Sequence, residues 1–353
     1  MKKYLLLLPI IFCCFLSNAC TTFLLNKDGN LVFGRNYDWI TGAGIIHTNQ
    51  RGLFKTSSIE NQRAVNWVSL YGSITFNQYG KEFPTGGMNE RGLVVEIMWL
   101  DGTNYPAPDE RGALDVLQWV QYQLDMHTSV EDIIESDKKI RIADNATPLH
   151  FLIADAKGNA ATIEFLNSKM IVHAGDKLPF PVLTNDSYAK SVTFAEQARA
   201  SGSMPGNNSL DRFATACKMV TEFKTSDTKL PLHEYAFSIL DKVAQGDFTK
   251  WSIVYDIKNK TVFFRTADFK SIKTFSFSAF DFACTTPSKM FDMNQIGSGD
   301  ITSSFLLPDK NVKRAALEKA VRESSGYVNI SESEKKLLLD YEDSVKCAKK
   351  KLK

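Results

Sequence analysis

Short apolar runs separated by turn residues predict β-strands in several parts of the chain. Residues 21–25 and 30–37 are two such runs, and Lys27-Asp28-Gly29 between them favours a hairpin, because Asp-Gly readily adopts a tight turn. Residues 92–100 form a further, mostly apolar run. Two antiparallel meanders are indicated by short runs at 150–154, 160–166 and 170–173, and at 251–256, 261–266 and 273–279.

Apolar positions spaced by three or four residues predict helices elsewhere in the chain. This spacing occurs in residues 113–127, 209–223, 232–243 and 312–321. Thr128 and Glu131 have the spacing of a capping box for a helix after 113–127. Strands grouped in hairpins, with helices grouped between them, indicate an α+β fold of antiparallel sheets covered by helices rather than alternating βαβ units.

The last part of the chain, residues 331–353, is rich in Lys and Glu but contains Leu337-Leu338-Leu339. This pattern predicts a charged C-terminal surface helix that packs along one apolar stripe. Since no repeat or low-complexity linker interrupts the sequence, we expect residues 20–353 to form a single domain.

The first nineteen residues have the parts of a secretory signal peptide. Lys2 and Lys3 precede an apolar run at 4–16, and the small residues Ser17 and Ala19 lie next to the expected cleavage site. We therefore expect a secreted or periplasmic protein that begins at Cys20 and has no transmembrane segment, because no later apolar run is long enough to span a bilayer. Without the leader, 40 basic residues balance 40 acidic ones. This balance gives no reason to expect a nucleic-acid partner.

Four cysteines remain after the leader is removed: Cys20, Cys217, Cys284 and Cys347. Their wide spacing in a long chain does not indicate a disulfide-stapled fold, and no pair of cysteines or histidines has the spacing of a zinc site. We therefore predict neither a structural disulfide nor a metal or other cofactor.

A cysteine directly after a cleavage site has two interpretations. In a lipoprotein it carries a lipid anchor, but such sites usually have Leu three residues earlier, where this chain has Ser17. Alternatively, Cys20 is an N-terminal nucleophile whose own α-amine accepts the thiol proton, because the two groups have reference pKa values of about 8. A ligand-binding lipoprotein anchored at Cys20 is thus the non-enzymatic alternative.

The segment CTTFLLNKDGNLVFGRNYDW, which begins at Cys20, resembles the start of the choloylglycine hydrolase family. The resemblance continues in order through PTGGMNERGLVVEIMWL, PVLTNDS, MPGNNSLDRF and TKWSIVYDIKNKTVFFRT, which ends at Thr266. It implies an N-terminal nucleophile hydrolase, an αββα sandwich of two antiparallel sheets between helical layers. The family includes bile salt hydrolases and penicillin V acylases, and the aromatics at Trp39 and Trp99 resemble its Gram-negative branch.

The resemblance also implies roles for individual residues. Cys20 is the nucleophile, Arg35 and Asp38 act beside it, and Arg212 is a second active-site arginine. Asn185 and the backbone N–H of Trp99 correspond to the donors that stabilise the tetrahedral oxyanion. Trp39 and Trp99 are expected to contribute to an apolar acyl pocket. Taken singly, each of these residues also has an ordinary structural interpretation, as a surface pair, a turn residue or a core aromatic.

The resemblance favours a small-molecule amide with an apolar acyl group as the substrate. Glycine- or taurine-conjugated bile salts come first, with penicillin V and acyl-homoserine lactones as alternatives. The stretch between Arg111 and Asn185 is shorter than in members where an extension helps to build a tetramer, so a homo-oligomer remains one option. A Cys–His hydrolase is a weaker hypothesis, since none of the five histidines lies in a recognisable signature: His47, His127, His150, His173 and His233.

Overall fold

The computed structural model describes residues 20–27, 29–144, 146–202, 206–223 and 230–349. Several sequence predictions concern residues outside these ranges. They are the signal peptide at 1–19, Asp28 of the hairpin turn, Met204 and Pro205 of one family motif, and the end of the C-terminal segment at 350–353.

Two large sheets organise the protein. The first has seven strands in the order β14-β1-β2-β15-β16-β17-β19. Their bounds are β1 (Thr21–Lys27), β2 (Asn30–Asp38), β14 (Val182–Leu183), β15 (Thr249–Asp256), β16 (Thr261–Thr266), β17 (Lys273–Ser276) and β19 (Gly299–Asp300). The pairs are antiparallel except for β17 with β19.

The second sheet has eight antiparallel strands in the order β13-β12-β11-β8-β7-β6-β3-β18. They are β3 (Ile45–Asn49), β6 (Ser73–Asn77), β7 (Gly86–Asn89), β8 (Val94–Trp99), β11 (Leu149–Ala154), β12 (Ala160–Leu166), β13 (Lys169–Ala174) and β18 (Met290–Asp292). Smaller ladders join β9 (Gly112–Leu114) to β10 (Ile140–Ile142), and β4 (Leu53–Thr56) to both β5 (Asn66–Val68) and β20 (Lys346–Cys347).

Helices cover the outer faces of both sheets. On the seven-stranded sheet lie α3 (Tyr188–Ser201), α4 (Ser209–Glu222) and α5 (Leu232–Lys242), and on the other lie α1 (Val116–Met126) and α2 (Val130–Ser136). Between the sheets, Phe76 packs against Tyr255 and Phe264 at ring-centroid distances of 6.0 Å. Because both faces of the central strands are covered, residues 94–98 are all buried, which accounts for the apolar run in the sequence.

Most of the predicted elements are present, with corrections at their ends. The helix predicted at 113–127 begins only at Val116, because Asp115 caps it by accepting a hydrogen bond from the N–H of Leu117 at 2.8 Å. The capping box predicted at Thr128 and Glu131 is wrong by one residue. Ser129 is the cap of α2, and its Oγ accepts from the N–H of Asp132 at 3.1 Å.

The C-terminal region differs most from the sequence prediction. Helices α6 (Lys310–Glu323) and α7 (Glu332–Ser344) are present, but α7 ends well before residue 353 and is followed by β20. Our prediction of no structural disulfide is wrong, since Cys284 is bonded to Cys347 across a sequence separation of 63 residues. Spacing in the sequence gave no sign of this pair, because the two residues meet only when the chain after α7 returns and pairs with β4.

No helix among the described residues combines the length and apolar character needed to cross a bilayer.

Candidate active site

Cys20 lies directly before β1 and lines a cavity of about 450 Å³. Its residue surface is only 6% exposed, and its Sγ donates to the carbonyl oxygen of Asp38 at 3.7 Å. This contact follows from the β1–β2 hairpin, whose register pairs Thr21 with Asn36 and thus brings the start of β1 beside the end of β2. The hairpin therefore places both Arg35 and Asp38 near Cys20.

Burial raises the pKa of the Cys20 thiol to about 11, although Arg35 opposes the shift. Asp38 adds to the rise through its negative charge, whereas Arg212 lowers the pKa. In the chain with residue 19 still attached, the thiol is therefore protonated at neutral pH and is a weak nucleophile.

Asp38 is buried at the end of β2, opposite Thr249 of β15. Its Oδ1 accepts a hydrogen bond from the Thr249 hydroxyl, while its Oδ2 has no hydrogen-bond partner among the described residues. Burial raises the pKa of Asp38 to about 7, against the opposing effects of Arg212, the Thr249 hydroxyl and Arg35. An unpartnered carboxylate oxygen beside Cys20 is well suited to bind a cationic group.

Asn185, Trp99 and Arg212 form one hydrogen-bonded group. The Asn185 Nδ2 donates to the carbonyl oxygen of Trp99 at 2.9 Å, and Arg212 Nη2 donates to the Asn185 Oδ1 at 3.1 Å. Arg212 Nη1 also reaches the carbonyl oxygen of Cys20 at 3.4 Å. These contacts fix the orientation of the Asn185 amide, whose Nδ2 carries a second N–H.

The sheet register explains why these distant residues meet. Leu183 in β14 pairs with Thr22, so Asn185 follows β14 at the level of Cys20. In the other sheet, Trp99 at the end of β8 pairs with Leu149. Arg212 comes from the first turns of α4, where it is buried. The structure thus brings together all of the site residues predicted from the sequence.

Glu96 is a part of this region that the sequence analysis missed. It is fully buried in β8 and forms an ion pair with Arg35, while the hydroxyl of Tyr255 donates to its other oxygen. Gly86 lies opposite it in β7, where a Cβ atom would collide with the Glu96 carboxylate. A single carboxylate inside the apolar run at 92–100 was the signal that could have identified it, since buried charges require partners.

Arg35 makes further contacts that hold it behind the nucleophile. Its Nη1 donates to the carbonyl oxygen of Thr85 at 2.8 Å, and its guanidinium carbon lies 4.8 Å from the centroid of the Tyr37 ring. Glu96 balances the charge of this arginine, and burial raises the pKa of Glu96 to about 7 despite the opposing effect of Arg35. The Arg35–Glu96 pair is therefore a buried ion pair adjoining the site.

The cavity beside Cys20 is mostly apolar and has aromatic walls. Trp39 and Trp99 both line it, with ring centroids 6.0 Å apart and planes inclined by 27°. The Trp39 indole N–H donates to the Tyr79 hydroxyl at 3.1 Å, and the Trp99 indole donates to Asp101 at 2.7 Å. Both tryptophans are thus held in one orientation, as expected for walls of a rigid pocket.

None of the five histidines, all of which the structure describes, lines this cavity. His150 is buried instead with Glu164 and the carbonyl oxygen of Thr184, which lie 3.2 Å and 2.7 Å from its ring nitrogens. A Cys–His dyad at Cys20 therefore has no support from the geometry.

Comparison with known proteins identifies the family to which the chain belongs. The sequence model of the family described as "Linear amide C-N hydrolases, choloylglycine hydrolase family" matches residues 20–221. The chain therefore belongs to this family, as the motifs after Cys20 predicted.

Individual relatives bear two activities in their names. Penicillin V acylase from Pectobacterium atrosepticum is 28% identical over 228 residues, which cover 57% of this chain and 59% of the acylase. The match thus spans less than two thirds of that relative's own length. The solved structure of penicillin V acylase from Agrobacterium tumefaciens is 25% identical, with a TM-score of 0.73, and the match covers 82% of this chain and 98% of the acylase.

A conjugated bile acid hydrolase from Clostridium perfringens, solved as a mutant, shares the fold at 18% identity and a TM-score of 0.65, covering 80% of this chain and 98% of that one. Together with the two covered antiparallel sheets, these neighbours confirm the predicted N-terminal nucleophile hydrolase fold. Membership of the Gram-negative branch stays a prediction.

Proposed function

We propose that the protein is a cysteine-nucleophile amidase in which Cys20, freed as the N-terminal residue, attacks the carbonyl carbon of a linear amide. The observation that carries this proposal is the buried Asp38, whose carbonyl oxygen accepts from the Cys20 Sγ at 3.7 Å and whose Oδ2 has no hydrogen-bond partner among the described residues. Removal of residues 1–19 would give Cys20 a free α-amine on the residue that contacts Asp38. The ammonium form of this amine would satisfy the carboxylate and lower the pKa of the thiol, so that a thiolate forms near neutral pH.

The reaction then needs no histidine. The α-amine takes the thiol proton, and the thiolate attacks the carbonyl carbon to give a tetrahedral oxyanion. The second N–H of Asn185 is free to donate to that oxyanion, because its first N–H is held by Trp99 and its Oδ1 by Arg212. The ammonium group protonates the leaving amine as the C–N bond breaks. Water finally hydrolyses the thioester, which releases the acid and restores the thiol.

Two variants test the nucleophile and the base separately. Cys20→Ala should abolish turnover because the sulfur is lost. A chain that retains one residue before Cys20 should also be inactive, although its thiol is present, because the α-amine is then an amide. Full activity of the extended chain would refute the role of the α-amine, while activity of Cys20→Ala would refute the nucleophile.

We also propose that the protein is exported and processed before it becomes active. The Cys284–Cys347 disulfide supports this, since structural disulfides persist mainly in oxidising compartments. Burial of Cys20 argues against a lipid anchor, because a diacylglyceryl group on its Sγ would occupy the cavity instead of a membrane. The intact mass of protein from the periplasm or medium should match a chain that starts at Cys20. An added diacylglycerol mass would refute this.

For the substrate, we favour glycine- or taurine-conjugated bile salts. The cavity of about 450 Å³ falls within the range that holds drug-sized ligands, and its lining is mostly apolar, with hydroxyl groups at Ser58 and Thr147 and carboxylates at Glu60, Asp115 and Glu334. A steroid acyl group is large, rigid and apolar, with a few hydroxyl groups, and therefore fits this lining. Penicillin V is the second candidate, since two relatives carry that activity in their names.

The deciding measurement is kcat/KM on glycocholate, taurocholate, penicillin V and a long-chain acyl-homoserine lactone, side by side. Release of glycine or taurine at the highest kcat/KM supports our preference. If penicillin V or the lactone is cleaved far faster and neither bile salt is hydrolysed, the preferred substrate is wrong while the amidase mechanism stands.

A further inference from the structure

The C-terminal part of the chain contributes one side of the cavity that contains Cys20. We call residues 327–338 the C-terminal wall. Its residues at the cavity are Val328, Ile330, Ser333, Glu334, Leu337 and Leu338. All of them lie beyond residue 221, where the family match ends. This wall therefore comes from a region to which the family resemblance assigns no role.

The wall packs only partly against the rest of the protein, since Ile330 and Leu338 are half-buried against the apolar cluster that contains Leu317. No residue of α7 is buried, and Leu337 is 37% exposed although it faces the cavity. Helices in proteins are stabilised mainly by burying an apolar face, so α7 depends also on its ion pairs with α6, Lys310–Asp343 and Lys313–Glu342, and on attachments at its ends.

At the start of the wall, the chain contacts the aromatic residues that line the cavity. The Tyr327 ring packs edge-on against Trp39 with a centroid distance of 5.8 Å. Just before it, Ser324 accepts a hydrogen bond at 3.2 Å from the Tyr79 hydroxyl, which in turn holds the Trp39 indole. The wall and the acyl pocket are thus coupled through Trp39.

Beyond the wall, the chain is attached to the rest of the protein by noncovalent contacts and by a disulfide bond. The Tyr341 hydroxyl donates to the carbonyl oxygen of Thr56, and its ring packs edge-on against Phe83, which also lines the cavity. After α7, β20 pairs with β4, and Cys347 is bonded to Cys284. The disulfide therefore clamps the chain beyond the wall to the body of the protein.

We propose that the C-terminal wall, and Leu337 in particular, determines which acyl groups the enzyme accepts, and that the Cys284–Cys347 disulfide holds the wall in its working position. The inference rests on the proposed function of Cys20. A small acyl group packs against Trp39 and Trp99 near Cys20 and does not extend to the wall. A large, rigid acyl group such as a steroid extends along the cavity and buries the apolar side chains of the wall.

The test compares two glycine amides that share a leaving group and differ in acyl size, cholylglycine and phenoxyacetylglycine. Leu337→Ala should lower kcat/KM for cholylglycine by about tenfold, because an apolar pocket loses at least this much when several carbon atoms are removed. Its kcat/KM for phenoxyacetylglycine should change by less than about twofold. The matched control is Leu339→Ala, on the same helix but outside this cavity, which should leave the ratio of the two substrates unchanged.

Breaking the disulfide provides a second test of the proposal. A mild reductant, or the double substitution Cys284→Ser and Cys347→Ser, should reproduce the selective loss of cholylglycine hydrolysis, and the double variant should not respond further to reductant. Cys20 is a free thiol and is not inactivated by reductant.

The possible results separate the two proposals. If the wild-type protein cleaves neither amide nor any other tested amide, the proposed function fails and this inference fails with it. In another outcome, the wild type cleaves amides while Leu337→Ala has the same ratio of kcat/KM values for the two substrates as Leu339→Ala, or loses activity equally on both. Either result refutes only the inference on the wall. An unchanged ratio after the disulfide is broken refutes the clamping role.

Discussion

The Asn185 side chain offers the sharpest test of the proposed chemistry, because its structural and catalytic contributions can be separated. Its amide joins Trp99 and Arg212 through hydrogen bonds of 2.9 and 3.1 Å. Asn185→Ala removes both bonds together with the N–H that we assign to the oxyanion. Asn185→Asp keeps an oxygen acceptor for Arg212 but has no N–H donor.

The catalytic contribution is expected to appear as a loss of kcat, and the structural contribution as a loss of folding stability. Loss of one oxyanion donor lowers kcat by about 10²–10³-fold, or about 3–4 kcal/mol of transition-state stabilisation. Loss of the acceptor for the charged Arg212 costs about 1.5–3 kcal/mol of folding stability in Asn185→Ala, because that arginine is buried. Asn185→Asp should show the same loss of kcat and keep the acceptor for Arg212, although its carboxylate then faces the Trp99 carbonyl oxygen where an N–H was.

The assay is steady-state kinetics on the best substrate, with urea denaturation of the same preparations. We expect kcat to fall in both variants while KM changes little, since the donor acts on a charge that exists only in the transition state. A kcat within tenfold of wild type in Asn185→Asp would refute the oxyanion role. A change confined to KM would show that Asn185 binds substrate instead.

Three further predictions concern electrostatics and the disulfide. At pH 8, where Glu96 is ionised, Glu96→Gln should lower the free energy of unfolding by about 3 kcal/mol, because the buried Arg35 loses its counter-charge; an unchanged urea midpoint would contradict this. In a chain that retains a residue before Cys20, burial raises the pKa values of Asp38 and Glu96 from 3.8 and 4.5 to about 7, so the folded state binds more protons than the unfolded state between these values. Stability should therefore fall as pH rises from about 5 to 7, by about 1.4 kcal/mol per pH unit for each group. Urea midpoints that rise or stay constant over this range would contradict the assignment. Breaking the Cys284–Cys347 disulfide should remove at most about 4 kcal/mol, the chain-entropy value for a loop of this length, and mainly as local opening. Hydrogen exchange should then be faster in α7 than in β1, and equal protection before and after reduction would show that the clamp is dispensable.

Local patterns in the sequence were sufficient for most of the core strands and for six of the seven helices that the structure describes. The hairpin of β1 and β2 is one example, because its turn residues and apolar runs are contiguous in the chain. Helix α3 was missed, since only Tyr188, Ser191 and Ala195 of its residues are buried and no apolar stripe marks it. Short strands such as β4 and β5 were missed for a similar reason, as their positions depend on pairing partners elsewhere in the chain.

The sequence by itself determined the family and the fold class, because its motifs have a diagnostic order along the chain, and the same motifs supplied the predicted site residues. Tertiary structure alone decided how they are arranged: the orphan oxygen of Asp38, the Asn185 amide held between Trp99 and Arg212, and the charge of Arg35 balanced by Glu96. It also decided that the charged C-terminal segment, which had no function in the sequence, forms a side of the cavity. The physical reason is that strand register and a disulfide bring together residues far apart in the chain, and no local pattern encodes those distances.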